Sequence, residues 1–355
     1  MDTTSSSTAV PSLPFPLPHH LVHRPETPEA YLSHSTAPVR QHFVFSAELP
    51  TEHPLFGDAS PAFHDLLFAS EALRHVGLFA ARHYFRVPED RHPVFATSRL
   101  EITEPGPWRR TERPAHIALH LDITPKDVVN GIPRGLDCAA GISIDSAPCG
   151  RADARMTFLM PGVYRAHRAH GRRESFRSEA LGATAELAHL RALCELESDE
   201  AAADRAPAPE SGAGGPGPEG VGRRSRQNVL VGSPLDIGTD GLLFPVDTGA
   251  ALAVLPAGPA DQVPAALFFE ASRQTSLLAA DLLHGFAPAH SLLVRWQAAF
   301  RGFAEPDLPL YWSVRTAGAG ATRDAAGRPV AELALSVTQG GRTVADATAA
   351  VLQDC

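Results

Sequence analysis

One stretch of the sequence carries an acid, a base and an amide on an otherwise apolar background. It spans residues 261–283, DQVPAALFFEASRQTSLLAADLL, in which Glu270 precedes Arg273 by three residues and Gln274 by four. Residues at these spacings share one face of a helix, so the three polar groups are expected to meet. A carboxylate on an apolar helix is expected to have a raised pKa, which suits a general base. The stretch therefore predicts a proton-transfer site, with a buried structural ion pair as the alternative.

The same pattern occurs about two hundred residues earlier. Residues 62–82, AFHDLLFASEALRHVGLFAAR, align on the first stretch with an offset of 199 residues. In this alignment Glu71 corresponds to Glu270, Arg74 to Arg273 and His75 to Gln274. Two copies of one pattern indicate a duplicated domain. Glu71 is accordingly a second candidate base, and Arg74 a second candidate cation.

Both stretches predict long helices that are apolar around most of their surface. Such helices must be covered by protein, and strand-like segments flank each one. Strand candidates lie at residues 41–49, 94–103, 116–123, 135–144 and 152–158, and again at 227–231, 241–246, 290–303, 308–316, 329–338 and 342–352. One helix packed against one antiparallel sheet is an α+β arrangement, and the sequence predicts it twice.

Length and composition limit the classes of function. The chain has 355 residues, of which 44% are hydrophobic and 20% are charged, so each of two domains can bury a core. A net charge of −9 argues against a nucleic-acid partner. The four cysteines lack metal-ligand spacing, and we find no phosphate-binding glycine loop, so neither metal nor cofactor is expected. Without a signal peptide or a membrane-length apolar run, the expectation is a cytoplasmic protein with no membrane partner.

The same features divide the chain into four parts. Residues 1–20 are expected to be a disordered lead-in, and residues 21–165 form the first predicted repeat. Residues 166–222 combine a basic stretch, a segment of helical composition and a linker rich in proline, glycine and serine. The second repeat follows at residues 223–355. The basic stretch could bind an acidic carrier protein or a phosphate, or could be a solvated linker face.

These motifs resemble those of a known family. DQVPAALFFEASRQTSLLAA and HPLFGDASPAFHDLLFASEALRHVGLFAA look like the second-repeat and first-repeat signatures of the AfsA-type double hotdog family of A-factor (γ-butyrolactone autoregulator) biosynthesis proteins. LVHRPETPEAYL and GRADARMTFLMPGVYRAHR also resemble the family pattern at corresponding places. The resemblance covers nearly the whole chain except the lead-in and the linker.

The resemblance implies a double hotdog, in which each repeat has a long central helix wrapped by an antiparallel β-sheet. It implies an acyltransferase that condenses a β-ketoacyl group, carried on acyl carrier protein, with the hydroxyl of dihydroxyacetone phosphate. The product would be the precursor of γ-butyrolactone or butenolide signalling molecules. A hotdog dehydratase or thioesterase acting on acyl thioesters is one alternative, and a non-catalytic acyl-binding scaffold is another. Acyl chain length, the acceptor alcohol and a homodimer stay open.

The second repeat departs from the family pattern at its helix start. Where the family usually has Asp-His-Val-Pro-Gly-Met, this chain has Gln262 in place of the histidine and Ala265 in place of the glycine. Glutamine cannot act as a general base, and the alanine adds a methyl group where a thioester would approach. The departure could therefore mean a shifted substrate, lost catalysis, or a working site in the first repeat, which keeps His53, His64 and His75.

Acyl transfer to a phosphorylated alcohol needs a base, oxyanion donors and a cation, which assigns a role to each candidate. Glu270 and Glu71 are the candidate bases, and Arg273 and Arg74 could hold a phosphate or merely orient their glutamates.

Four further polar residues are candidates of the same kind. Gln274 could donate to a substrate carbonyl or bond only to backbone, and Asp261 could bind substrate or cap its helix. His64 is a candidate catalytic imidazole and His75 a candidate substrate contact, against solvated or core imidazoles for both.

Overall fold

The computed structural model describes residues 22–25, 41–59, 62–176, 215–236, 241–249, 262–318 and 320–354. The predicted lead-in and most of the predicted linker lie outside these ranges. Within them, two long helices pack against one continuous antiparallel sheet of thirteen strands. None of the described helices is long and apolar enough to cross a membrane.

The first half of the chain contributes one long helix and six strands. They are β1 (Val22–Pro25), β2 (Gln41–Glu48), α1 (Leu66–His83), β3 (His92–Ile102), β4 (His116–Lys126), β5 (Gly135–Ile144) and β6 (Ala147–Leu159). Helix α2 (residues 161–176) follows β6 directly. The second half adds β7 (Leu235–Asp236), β8 (Gly241–Val246), α3 (Ala265–His284), β9 (Ser291–Phe300), β10 (Leu310–Thr316), β11 (Thr322–Arg323), β12 (Pro329–Gln339) and β13 (Arg342–Gln353). The strand predicted at residues 227–231 is instead a 3₁₀ turn at Arg226–Asn228 followed by an isolated bridge at Val231.

The sheet runs in the order β1-β2-β4-β5-β6-β3-β9-β13-β12-β10-β8-β7, with β11 paired to β12. The β3–β9 pair joins the two halves, with Leu100 opposite Trp296. Read outward from this pair, the first half runs β3-β6-β5-β4-β2 and the second runs β9-β13-β12-β10-β8. The two halves therefore repeat one strand order, as the sequence pattern predicted.

The two long helices begin differently, although both are packed into the core. Asp65 caps α1 with a side-chain oxygen that accepts from the Leu67 N–H at 2.9 Å. Helix α3 begins after Pro264, which has no side-chain capping bond, and ends at Gly285, whose φ of 70° is left-handed. Every residue of α3 from 266 to 280 is buried. Helix α3, which is apolar around most of its surface, is therefore covered by protein along these residues, as expected.

Helix α2 presents part of the basic stretch to solvent, since Arg165, His167 and Arg173 are exposed, but two of its arginines are bound by the protein. Arg168 and Arg172 contact the buried carboxylate of Glu305 at 2.5 and 3.0 Å. The β12–β13 hairpin turns on Gly340 and Gly341, which have φ of 54° and 71° as a tight turn requires. A Cβ on Gly340 would overlap the backbone of α2, so the helix lies directly on this turn.

The end of the predicted linker is also part of the packed structure. Residues 219–221 form a 3₁₀ turn in which Val221 is completely buried. We call residues 215–231 the connecting segment, because they leave the linker and run between the two halves. Its contacts with Glu270 and Gln274 distinguish the two candidate sites.

Candidate functional site

Glu71 lies on the buried face of α1 with its carboxylate held by one neighbour. Arg74 donates from Nε to both carboxylate oxygens at 3.0 Å and from Nη2 to Oε2 at 2.7 Å. Glu71 is 1% exposed, whereas the Arg74 side chain is 25% exposed. The pair that the spacing predicted therefore forms, and one of its members reaches solvent.

A cleft of about 680 Å³, including its open mouth, adjoins this pair. Glu71, Arg74 and Ser70 line it from α1, and Ala265 and Phe269 line it from the start of α3. The remaining wall is mostly apolar: Phe95, Leu100, Leu121, Ala140, Ala152, Met156, Trp296 and Phe300. A largely apolar pocket with a few convergent polar groups is the usual form of a ligand site. Both halves of the chain build it.

The thiol of Cys138 also lines the cleft but is not available as a nucleophile. Burial, assisted by Asp137, raises its pKa to about 12, so the reactive thiolate is not formed at neutral pH. The other polar groups on the wall of the cleft include Glu71, a second carboxylate at Asp153, and the guanidinium groups.

His75 lies behind the Glu71–Arg74 pair and does not line the cleft. Its Nε2 is 2.8 Å from Arg74 Nη2 and 3.7 Å from a Glu71 oxygen. Burial, reinforced by the charge of Arg74, lowers its pKa to about 4. A neutral imidazole that accepts from Arg74 orients the guanidinium. The predicted substrate contact is therefore not among the groups facing the cleft.

Glu270 occupies the corresponding place on α3 in a very different environment. It is fully buried and accepts from Arg273 Nε at 2.9 Å, Arg273 Nη2 at 2.7 Å and Gln274 Nε2 at 2.6 Å. Arg223 of the connecting segment donates from Nε to Glu270 Oε1 at 2.9 Å, and its Nη2 lies 2.9 Å from Glu270 Oε2. A carboxylate has about four lone-pair positions, and the four donated hydrogen bonds place three donors on Oε1 and one on Oε2.

The raised pKa expected for Glu270 is a wrong prediction. Burial alone does raise the pKa of this carboxyl, but the charges of Arg223 and Arg273 outweigh it and lower the pKa to about 2. Arg223, 47 residues away in sequence, was not expected near Glu270. Glu270 is thus a buried anion held by three side chains, and its role as a base stays a prediction.

Gln274 takes the structural alternative, because its amide bonds to backbone. Oε1 accepts from the Leu230 N–H at 2.9 Å and Nε2 donates to the Asn228 carbonyl at 2.7 Å. Asn228 in turn donates to Asp58 Oδ2 at 2.7 Å, and the Asp58 carboxylate accepts from the Ser225 N–H. The connecting segment is thus fixed to α3 on one side and to the HPLFGD turn of the first half on the other.

Arg223 and Asp65 were missed by the sequence analysis. Arg223 is completely buried, and its Nη1 donates to Asp65 Oδ2 at 2.5 Å and to the Leu55 carbonyl at 3.1 Å. One guanidinium therefore joins the cap of α1 to the carboxylate of α3. The available signal was Asp65 itself, one residue before an apolar helical run, which is the position of an N-cap.

His64 does not line the Glu71 cleft. It lines a separate cavity of about 340 Å³ together with Arg273 and Leu277. Burial and the charge of Arg110 lower the pKa of His64 to about 4, against the opposing charge of Asp145. Asp261 lies outside the described residues.

The cleft contains further polar groups that the sequence analysis did not select. Arg99 and Ser98 enter its wall from β3. The Arg99 Nη2 contacts Glu101 at 2.5 Å, while its buried Nε has no partner among the described residues. Two arginines, Arg74 and Arg99, therefore border one pocket. No group of three or more metal-binding side chains occurs in the described part of the chain.

Two long helices on one continuous antiparallel sheet, each with a glutamate–arginine pair, are now established. The chain belongs to the family of the A-factor biosynthesis hotdog domain, which matches residues 5–160 and 217–352. The two matched segments coincide with the two halves of the sheet. The family resemblance seen in the motifs is thus confirmed. No curated protein matches the chain in sequence.

Solved structures with overall similarity include three described as thioesterases. A putative thioesterase from Novosphingobium aromaticivorans has 10% identity and a TM-score of 0.47, covering 90% of this chain and 99% of its own. A putative oleoyl thioesterase from Lactobacillus plantarum has 8% identity and a TM-score of 0.46, covering 88% and 97%. An acyl-ACP thioesterase from Bacteroides thetaiotaomicron has 9% identity and a TM-score of 0.45, covering 87% and 97%. Similarity at this level supports no argument about the chemistry of this chain.

Proposed function

We propose that the protein is an acyltransferase-type condensing enzyme with one working site, the Glu71 cleft. The two halves would be two hotdog units, with α1 and α3 as their central helices. The substrates would be a β-ketoacyl thioester, presented by acyl carrier protein, and dihydroxyacetone phosphate. The observation that supports this assignment is that a mostly apolar cleft lies beside Glu71 and Arg74, whereas Glu270 is not among the residues that line it.

Glu71 is the proposed general base. Its bonds from Arg74 occupy part of its lone-pair capacity, so a carboxylate oxygen can still accept a proton. The hydroxyl of the acceptor would attack the thioester carbonyl while its proton moves to Glu71. A C–O bond forms, the C–S bond breaks, and the proton passes to the departing thiolate. Arg74 orients the carboxylate for this transfer through its three hydrogen bonds.

Arg74 and Arg99 are the proposed phosphate ligands. Both line the cleft, one from α1 and one from β3. A guanidinium binds a phosphate through two parallel N–H donors, so a pair of arginines can fix its position. The apolar wall beyond them would take the acyl chain.

The test is product analysis with purified protein, a β-ketoacyl thioester and dihydroxyacetone phosphate. We expect a phosphorylated β-ketoacyl ester, and we expect Glu71→Gln to lower kcat by about 10²- to 10⁴-fold. Glu270→Gln is the matched control, because the same change on α3 removes a carboxylate that does not adjoin the cleft. Its folded fraction should keep most of the activity.

Other products would assign the cleft to another reaction. Release of the free acid without ester would indicate a thioesterase, and a 2-enoyl product from a β-hydroxyacyl thioester would indicate a dehydratase. Tight binding of the acyl carrier without turnover would indicate a scaffold protein. Equal activity of Glu71→Gln and the unmodified protein would exclude Glu71 as the base.

A further inference from the structure

The cavity beside Arg273 is the second-half counterpart of the Glu71 cleft. Under the offset of 199 residues, Arg273 on α3 corresponds to Arg74 on α1, and Leu66 at the start of α1 corresponds to Ala265 at the start of α3. Arg74 and Ala265 line the cleft, and Arg273 and Leu66 line the cavity of about 340 Å³. Each half of the chain therefore presents one arginine to one cavity.

Arg273 offers this cavity a donor that the protein does not use. Its Nε and Nη2 donate to Glu270, and Nη2 also donates to the Val221 carbonyl at 3.1 Å. Its Nη1 makes no hydrogen bond with the described residues, yet it is not sealed from solvent, unlike the unpartnered Nε2 of His64. The Arg273 side chain is 7% exposed and lines the cavity, so the accessible side of Nη1 faces it. Glu270 is not among the lining residues, so the cavity meets the cation and not its carboxylate.

The charges around the cavity leave one guanidinium without a carboxylate. Arg223 and Arg273 are balanced by Asp65, which lines the cavity, and by Glu270. Arg110 is half-buried close to these groups and has no carboxylate partner among the described residues.

The field of Arg110 reaches the wall of the cavity. Its charge helps to lower the pKa of His64, which lines that wall. The opposing charge is that of Asp145, which is 60% exposed and therefore screened by water. The wall thus favours one additional negative charge.

The rest of the wall limits the kind of anion. It is mostly apolar: Ala59, Phe63, Leu66, Leu277, Leu292 and Leu293. One excess positive charge suits a monoanion better than a phosphate dianion, and an apolar wall favours an aliphatic body. A short-chain carboxylate meets both conditions.

We propose that this cavity is a second ligand site, which binds short-chain monocarboxylates through Arg273 Nη1. The carboxylate accepts from Nη1, and the aliphatic chain lies against leucines of α1, α3 and β9. No lining residue is shared between the cavity and the Glu71 cleft, so the inference does not rest on the proposed function.

Calorimetry with hexanoate at neutral pH tests the site, with hexanol as the uncharged comparison. Hexanol should bind about tenfold more weakly, because it lacks the charged acceptor. Gly222→Ala should also weaken hexanoate binding about tenfold or more. A Cβ at Gly222 would lie 3.0 Å from Arg273 Nη1 and 2.9 Å from Leu277 Cδ1, where it obstructs the approach of the carboxylate.

Gly285→Ala is the matched control for backbone strain. Gly222 has a φ of 65° and Gly285 a φ of 70°, so alanine strains both left-handed positions alike. No described atom lies within 4 Å of a Cβ at Gly285. This variant should bind hexanoate as the unmodified protein does.

Arg74→Gln separates the cavity from the Glu71 cleft, which is also apolar and bordered by an arginine. Loss of hexanoate binding in Arg74→Gln, with unchanged binding in Gly222→Ala, would place the ligand in the cleft and overturn the inference. Equal affinity for hexanoate and hexanol, equal weakening in both glycine variants, or no hexanoate binding by the unmodified protein would also overturn it. Failure of the proposed function is a separate result, because it is measured as absence of the phosphorylated ester.

Discussion

Glu270 is held by three side chains from two segments, and its charge is therefore compensated inside the protein. Removing one member of a buried charge network leaves the others without a partner, which costs more than the network itself contributes. Glu71 is held by one arginine that reaches solvent. Two glutamates at equivalent positions thus have different consequences for stability and for chemistry.

We expect Glu270→Gln to lower the free energy of unfolding by about 3–5 kcal/mol, because Arg273 would lose its anion and the buried Arg223 would keep only Asp65. Glu71→Gln should cost less, about 1–2 kcal/mol, because Arg74 can turn to water. Urea unfolding at neutral pH measures both values. A smaller loss for Glu270→Gln than for Glu71→Gln would contradict the structural role assigned here to Glu270.

At the scale of elements, the connecting segment covers Glu270 and links it to the first half. Arg223 donates to Glu270, and Gln274 fixes the backbone at residues 228 and 230. The same segment binds the HPLFGD turn through Asp58. One stretch of chain thereby ties the two halves together, while the Glu71–Arg74 pair borders the cleft.

Helix α2 ties the halves together a second time, and its attachment can be tested. Glu305 is 1% exposed and binds Arg168 and Arg172, so Glu305→Gln should lower the free energy of unfolding by about 1–3 kcal/mol. Hydrogen exchange of residues 161–176 should become faster. Asp307→Asn is the control, because Asp307 is 56% exposed and also binds Arg172. It should cost less than about 1 kcal/mol. Unchanged exchange in Glu305→Gln would show that packing alone holds α2.

At the scale of the whole molecule, the two halves share one sheet and one strand order but differ in their buried ionisable groups. The buried histidines His64 and His75 both lie in the first half, and both have pKa values lowered to about 4, first by burial. Glu270 in the second half stays ionised far below neutral pH, because its pKa is lowered to about 2. Mild acid should therefore destabilise the protein through the histidines of the first half.

We expect stability to fall as pH decreases from about 6.5 to about 4. The unfolded chain takes up protons on these histidines near their ordinary pKa of 6.5, whereas the folded chain does not until about pH 4. More protons on the unfolded state means that stability rises with pH across this range. Urea unfolding at several pH values measures the slope, and His75→Gln should reduce it. An equal slope in His75→Gln would exclude this imidazole as a contributor.

The sequence by itself determined the two long helices, most of the strands and the duplicated order, because apolar periodicity is a local property of the chain. It also determined that each glutamate meets the arginine three residues later, since helical spacing fixes that contact. Only the tertiary structure decided which pair borders the cleft. Arg223 lies 47 residues from Glu270 in sequence, and Trp296 enters a cleft built largely by the other half. Burial, the second arginine and the open cleft depend on distant segments packing together, and no local pattern encodes them.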